Sequence, residues 1–597
     1  MFILLGILAL GAFLRFYQIK EIPLGLYPDE AMNGNNALEA IQNTHFSARG
    51  GSAFGGKVFY PENNGREGLF INLQAISVAT FGNTPWALRI VSALLGTLTI
   101  LGIYLVAKEL FQNHESRITN QGDDDARSRD SYFVLLDSRA IALLSAFFLA
   151  TSYWHLNFSR IGFRAIMLPL VACFAMYYLL KGLRTGRIPH LVVAAVLAGL
   201  GFYTYIAYRF MVFVALVPMA WHLWQTRKKP VASPKPYLIP LFLFVAFVVA
   251  LPIGIYFLRN PQQFFNRADE ISVFAAASPI KELGASTLKT LGMFFWRGDC
   301  NWRHNYNCSP ELHPLVAVFF LAGLVISISS LLHRKRSSND QAPMLNQTPS
   351  TNDQDEKRRL RFGAWDFIGN WKLGLGILFS WLFFMMLPVV LTREGLPHAL
   401  RAIGMIPPVM ILAAFGAQSL ASLALSWFEK QKSRWPAKTR QIARIQREMG
   451  LLSLLILLVI PLATYRTYFL LWAQNKKTYE AFDTSSWHLG QFLAGTGPEV
   501  KKYVMVNTLG VPVRGIPTSA QTVMFATNTF PEAERERKNV TYLAGPDMPD
   551  NIVIPEGQET LIAFLDGTDR ALIGAIQKKH PELEAKTPGD FIVLQNY

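Results

Sequence analysis

The chain has 597 residues, 51% of them apolar, and a formal net charge of +16. The apolar residues gather in repeated blocks of about 20, the length a helix needs to cross ~30 Å of hydrocarbon, which excludes a soluble globular protein. The basic residues sit mainly in loops between the blocks, where the positive-inside rule and anionic headgroups account for them, so the charge calls for no nucleic-acid partner.

In chain order the pattern predicts about eleven transmembrane helices, at residues 1–19, 86–107, 139–156, 165–181, 189–206, 210–225, 237–257, 314–332, 373–392, 401–424 and 450–472. The first lacks a basic start and a small-residue cleavage site, so it reads as a retained signal anchor. Alternate loops carry Arg227-Lys228-Lys229, Arg334-Lys335-Arg336 and Lys357-Arg358-Arg359, which marks that side as cytoplasmic. The acidic run Asp123-Asp124-Asp125 and the polar stretch Ser337–Glu356 on the same side read as solvated linker.

The other loop class holds residues 20–85 and 258–313, short turns near 157–164, 207–209 and 393–400, and everything beyond about 473. The expected protein is a multi-pass protein of the cytoplasmic membrane, with its N-terminus inside. A domain over 1–472 includes the outer loops 20–85 and 258–313, and 473–597 forms a small extracytoplasmic α/β domain. Within the latter, Val500–Val506 and Leu561–Phe564 read as buried strands and Arg570–Lys579 as a helix.

Of the three cysteines, Cys173 falls inside a span as a small apolar residue. Cys300 and Cys308 flank one polar loop and are placed to form a disulfide if that loop faces an oxidising compartment.

Candidate chemistry lies in the outer loops. Asp29 and Glu30 follow Pro28; the pair reads either as an ordinary helix start or as a catalytic carboxylate with its neighbour, Asp29 accepting a proton from an acceptor hydroxyl. Arg66 and Glu67 lie in a turn-rich segment, Glu67 being a further site carboxylate or metal ligand. Arg160, Arg164, Arg209, His398 and Arg401 sit at outer ends of spans, where positive charge is normally sparse, with Tyr205 and Tyr208 beside Arg209. Snorkelling explains each cation singly, whereas several converging at one face suit a phosphate. Asp299, Arg303 and His304 form a third polar element. Together these suggest a lipid-tethered phosphosugar with its phosphate against arginine and its sugar toward the carboxylates.

The ordered series Pro28-Asp29-Glu30, Asn64-Gly65-Arg66-Glu67-Gly68 and Trp86-Ala87-Leu88-Arg89-Ile90-Val91-Ser92-Ala93 resembles the opening of polyprenyl-phosphate-sugar-dependent glycosyltransferases of the GT-C superfamily. That group includes protein O-mannosyltransferases and the aminoarabinose transferase of lipid A. Asn157–Arg164, Gly298–Asn305 and Leu396–Arg401 are similar to bacterial members, and the resemblance covers most of residues 1–472. It implies a polytopic α-helical fold, Asp29 as catalytic carboxylate, Glu30 in support and the outer arginines on the donor phosphate. It also implies an inverting transfer from a polyprenyl-phosphate sugar to a protein, lipid or glycan. Some members use a divalent metal ion, for which this sequence shows no His-rich motif. A transporter of lipid-linked sugars is the competing class, against which no internal two-fold repeat is visible; a non-catalytic scaffold is a third.

Overall fold

In a computed structural model, residues 1–44, 56–112, 138–228, 237–265, 272–332, 372–546 and 548–597 are described. Asp123–Asp125, Ser337–Glu356, Lys229 and the basic clusters at 334–336 and 357–359 lie outside them.

The chain is a multi-pass helical membrane protein. Eight helices among the described residues are long and apolar enough to cross a bilayer: Pro85–Phe111, Arg164–Thr185, Ile206–Arg227, Leu238–Arg259, Pro314–Leu332, Lys372–Val390, Ile403–Arg434 and Pro436–Trp472. The remaining expected spans, 1–19, 139–156 and 189–206, are apolar helices only over Phe2–Phe16, Ser138–Ala150 and Ile188–Gly201. These are shorter than a full crossing. A further apolar helix, Gly68–Phe81, stands in the loop expected between the first two spans.

Two of the short helices, Phe2–Phe16 and Ser138–Ala150, have carbonyls at their ends taken by arginine side chains. Helix ends leave C=O groups without intrahelical donors, and hydrocarbon offers no water to replace them. Arg15, fully buried, donates to the Gly11, Leu149 and Ala150 carbonyls at 2.9, 3.3 and 3.1 Å. It therefore closes both its own helix and the end of Ser138–Ala150. Ser152 then caps the next turn by accepting from the His155 N–H, and the chain restarts as Tyr153–Phe158. Arg160 answers from that segment, donating to the carbonyls of Leu14, Arg15 and Ile22 at 3.1, 2.9 and 3.0 Å.

Helices Pro314–Leu332 and Ile406–Arg434 meet backbone to backbone. A Cβ on Gly323 would lie 2.0 Å from the Leu412 carbonyl oxygen, and one on Gly416 would lie 2.0 Å from that of Phe319. Small residues permit such approach where no water drives helices together. Three fully buried tryptophans turn their indole N–H groups to carbonyls at one end of the bundle: Trp154 to Ala399 (3.0 Å), Trp381 to Gly404 (3.0 Å) and Trp472 to Trp302 (2.7 Å).

That end is where the second loop class gathers. Arg160 reaches Ile22, Arg164 reaches Glu67, Asn157 reaches Arg303, Ser272 bridges to Thr392 and Asp299 accepts from Ala399. A small antiparallel pair, β1 (Phe59–Tyr60) and β2 (Arg66–Glu67), lies among these loops.

Beyond the last helix, β3 (Lys501–Val506), β6 (Val540–Ala544), β7 (Thr560–Phe564), β8 (Glu584–Lys586) and β9 (Val593–Gln595) form a sheet in the order β6-β3-β7-β9-β8, with β6, β3 and β7 parallel. A separate hairpin joins β4 (Pro512–Val513) and β5 (Ile516–Pro517). The expected helix Arg570–Lys579 is present. Alternate residues of β3 feed two apolar clusters, Val504 one and Tyr503 and Met505 the other, as a sheet covered on both faces requires. The whole unit rests on helix Pro28–Thr44 and the turn before it. Thr522 donates to the Leu26 carbonyl at 2.9 Å, and Asn35 to the Gln521 side chain at 2.8 Å. Gly25 (φ +71°) lets the two backbones touch, since a Cβ there would lie 2.5 Å from the Phe482 carbonyl oxygen.

Candidate functional site

The site is built on helix Pro28–Thr44, which opens with Pro28 followed by Asp29 and Glu30, residues suited to a first turn. The two adjacent carboxylates have opposite fates. Asp29 is half-buried and accepts from Asn63 Nδ2 at 2.6 Å. Tyr27 hydrogen-bonds with both Asp29 and Arg303, and the Arg303 guanidinium lies over its ring at 3.9 Å. Burial and then the Asp29 charge push the Tyr27 phenol above its ordinary range, so it keeps its proton.

Glu30 has no exposure. Both its oxygens accept from Arg89 at 3.0 Å, and Oε1 also accepts from the Gly162 N–H at 2.6 Å. Arg89 further holds the Pro23 and Gly25 carbonyls. Glu30, expected beside Asp29 as its catalytic partner, is instead buried as a tie between three chain segments.

Residues three and six further along that helix from Glu30 both serve Arg66. Asn33 and Asn36 accept from the Arg66 guanidinium at 2.7 and 2.5 Å. Arg66 is nearly buried, with neutral partners in place of a carboxylate. Burial and the neighbouring Arg164 lower its pKa to about 10, with Asp29 opposing. Arg164 pairs with Glu67 at 2.6 Å and covers the Tyr205 ring at 5.6 Å. Arg209 lies over Phe264 at 3.8 Å, within electrostatic reach of Glu67. Arg66, Arg164, Glu67, Tyr205 and Arg209 thus form one neighbourhood, which Arg66 joins to Asp29.

The loop 298–311 forms the adjoining wall, closed by the Cys300–Cys308 disulfide. Asp299 Oδ2 is 2.8 Å from His304 Nδ1 and 3.8 Å from His398 Nδ1, and accepts from the Ala399 N–H at 2.9 Å. Burial raises the Asp299 pKa, but the hydrogen bond and charge of His304, then His398 and the Asn301 N–H, outweigh it and leave the carboxyl below its usual range. One donor atom from each of Asp299, His304 and His398 lies within 4.8 Å of the others. Two imidazoles and a carboxylate are ligand types that suit a divalent ion such as zinc. At 2.8 Å the Asp299–His304 pair is closed as a hydrogen bond and would open to admit one. Phe163 joins this wall to Asp29, its ring 6.3 Å from both Tyr27 and His304.

Four expected residues are placed differently from the reading above. Arg160 is fully buried among carbonyls and the rings of Tyr468 and Phe469, so it is a helix-end donor and has no face for a phosphate. Tyr208 is packed in the core beneath Gly201. His398 belongs with Asp299 and His304, and Arg401 closes its own turn on Thr392 and Glu394. Tyr27, Asn33, Asn36, Asn63 and Arg89 were not singled out as site or support residues. A cavity of about 290 Å³ lies behind the loop, lined in part by Tyr153, Asn305, Glu311 and Thr464, away from Asp29.

A family model described as dolichyl-phosphate-mannose-protein mannosyltransferase matches residues 69–120 and 134–256. No curated protein matches the sequence. Among solved structures, ArnT from Cupriavidus metallidurans bound to undecaprenyl phosphate is similar over 99% of this chain and 98% of that one, at 14% identity and a TM-score of 0.51. The Archaeoglobus fulgidus oligosaccharyltransferase in its apo form is more distant, at 12% identity and a TM-score of 0.41 over 91% of this chain and 64% of that one. The family model thus matches part of the membrane-spanning region, and the fold is shared with ArnT along almost the whole chain.

Proposed function

We propose that the protein moves a sugar from a polyprenyl-phosphate donor to a protein, lipid or glycan acceptor at the non-cytoplasmic membrane face, inverting the anomeric centre, with Asp29 as catalytic carboxylate. The observation that carries this reading is the half-exposed Asp29 set beside Arg66 and Arg303 at one end of the bundle. The sidedness follows the loop charges, with the N-terminus inside and residues 473–597 an outer domain on a 1–472 membrane domain.

In this reading Asp29 takes the acceptor hydroxyl proton as its oxygen attacks the anomeric carbon. The carbon–oxygen bond to phosphate breaks, and its electron pair leaves on the phosphate oxygen. Arg66, Arg164 and Arg209 hold that growing negative charge in a partly desolvated setting, where fixed cations are most effective. Asn63 and Tyr27 orient the Asp29 oxygens. Asp299, His304 and His398 are the residues that would hold a divalent ion, which when bound supplies a Lewis acid for phosphate oxygen. The undecaprenyl phosphate bound by the similar ArnT supports the donor class.

The test is Asp29→Asn, with polyprenyl-phosphate sugars and surface glycans measured by mass spectrometry in cells carrying either form. Loss of one general base lowers transfer by about 10³-fold. Normal transfer by a variant that inserts at wild-type level removes Asp29 from the mechanism. Movement of the donor across vesicles without loss of its sugar replaces transferase with flippase.

A further inference from the structure

One contact between the sheet-bearing unit after residue 473 and the site loops is made by the side chain of Arg514. Arg514 stands with Gly515 at the corner of the β4–β5 hairpin, at φ values of 51° and 81°. Left-handed values at both positions suit a tight hairpin turn, where Asn, Asp or Gly is the usual first residue. Arginine is uncommon in that conformation.

Its side chain accounts for the choice. Arg514 NH2 lies 3.0 and 3.1 Å from the two oxygens of Glu39 and 3.1 Å from Glu62 Oε1, while the guanidinium covers the Phe530 ring at 4.5 Å. Glu39 belongs to helix Pro28–Thr44, which carries Asp29, Asn33 and Asn36. Glu62 directly precedes Asn63, the residue that donates to Asp29, and Asn63, Asn64 and Gly65 run through φ values of 51°, 64° and 77° toward Arg66. The turn has little pairing of its own beyond the two-residue β1–β2 ladder.

We propose that Arg514 is a positioning residue: it ties the Glu62 turn to helix Pro28–Thr44, and so sets the distance between Asp29 and the Asn63–Glu67 segment that holds Arg66. The C-terminal unit then acts on the site without touching substrate. This rests on the glycosyl-transfer reading for its consequence, though not for the contact itself. Glu62 behaves as the tie requires. Burial raises its pKa, but a backbone N–H and Arg514 hold the carboxyl below its ordinary range.

The experiment uses the full chain in lipid nanodiscs, with Arg514→Ala, Arg514→Lys and Glu62→Gln. Hydrogen exchange is followed over residues 56–67, and affinity is measured for undecaprenyl phosphate. Arg514→Ala is expected to speed exchange in that segment and weaken binding about tenfold, a typical coupling between separate sites. Arg514→Lys recovers part of both, because charge persists while the two-carboxylate reach is reduced. Wild-type exchange and affinity in Arg514→Ala overturn the proposal. If that variant also loosens the sheet, Glu62→Gln, which lies outside the sheet, decides by the same two readings. Failure of the wild type to bind undecaprenyl phosphate counts against the transferase reading, and exchange over 56–67 then decides the tie alone.

Discussion

Glu30 and Arg89 face each other through two 3.0 Å hydrogen bonds with almost no exposure of either side chain. The pair joins the first loop to helix Pro85–Phe111, while Glu30 also holds the 157–164 turn through Gly162. Removing one partner of a buried ion pair leaves the other charge without compensation. Glu30→Gln or Arg89→Ala is expected to lower stability by about 3–5 kcal/mol. Thermal unfolding in detergent reads this, and an unchanged melting temperature would contradict it.

On the proposed reading Arg66 binds the donor phosphate and Arg160 supports the fold. Arg66→Ala is expected to raise the dissociation constant for undecaprenyl phosphate at least tenfold, or about 1.4 kcal/mol, with a smaller stability loss. Arg160→Ala leaves the Leu14, Arg15 and Ile22 carbonyls without this donor and is expected to cost about 3 kcal/mol of stability. Comparing phosphate-lipid affinity and melting temperature for the two variants checks both; identical profiles would merge the roles.

The joint beneath the C-terminal unit responds to pH. Asp483, whose Oδ1 accepts from Ser486 at 2.7 Å, has its pKa raised by burial from 3.8 to about 6. The folded state therefore binds the proton more tightly than the unfolded one. The associated stability is present below about pH 4 and is lost as pH rises through about 6. Asp483→Asn is expected to flatten the fall in melting temperature between pH 4.5 and 7, a change of about 2 kcal/mol.

The Cys300–Cys308 bridge closes a loop of sequence separation 8 that holds Arg303 and His304. Cys300→Ser with Cys308→Ser is expected to cost roughly 2–3 kcal/mol by releasing chain entropy in the unfolded state. Proteolysis within 298–311 should rise in the double variant, and resistance equal to wild type would show the loop is held otherwise.

A divalent ion at Asp299, His304 and His398 is checked by elemental analysis of the purified protein. His304→Ala and His398→Ala are each expected to remove bound zinc or manganese. Equal metal content in both variants would place any ion elsewhere.

The spans were legible because about twenty largely apolar residues in a row admit few other readings. Helix length was less legible. Residues 139–156 are largely apolar, yet the helix stops at Ala150, where Arg15, more than 130 residues earlier, takes its carbonyls. Arg160 and Arg164 looked alike, four residues apart on one turn, and only tertiary packing turns one to carbonyls and the other to Glu67. Arg66 was visible as a candidate from its turn-rich segment; Asn33 and Asn36, which hold it, were not, because nothing local brings the two segments together.

The exchange of carbonyl donors between Arg15 and Arg160 bears on biogenesis. Each arginine finishes a helix belonging to the other segment, so a nascent chain released before residue 160 carries the first helix with its final carbonyls unanswered and Arg15 without its distant acceptors. The first and third apolar segments therefore complete each other's ends only once the two are in contact.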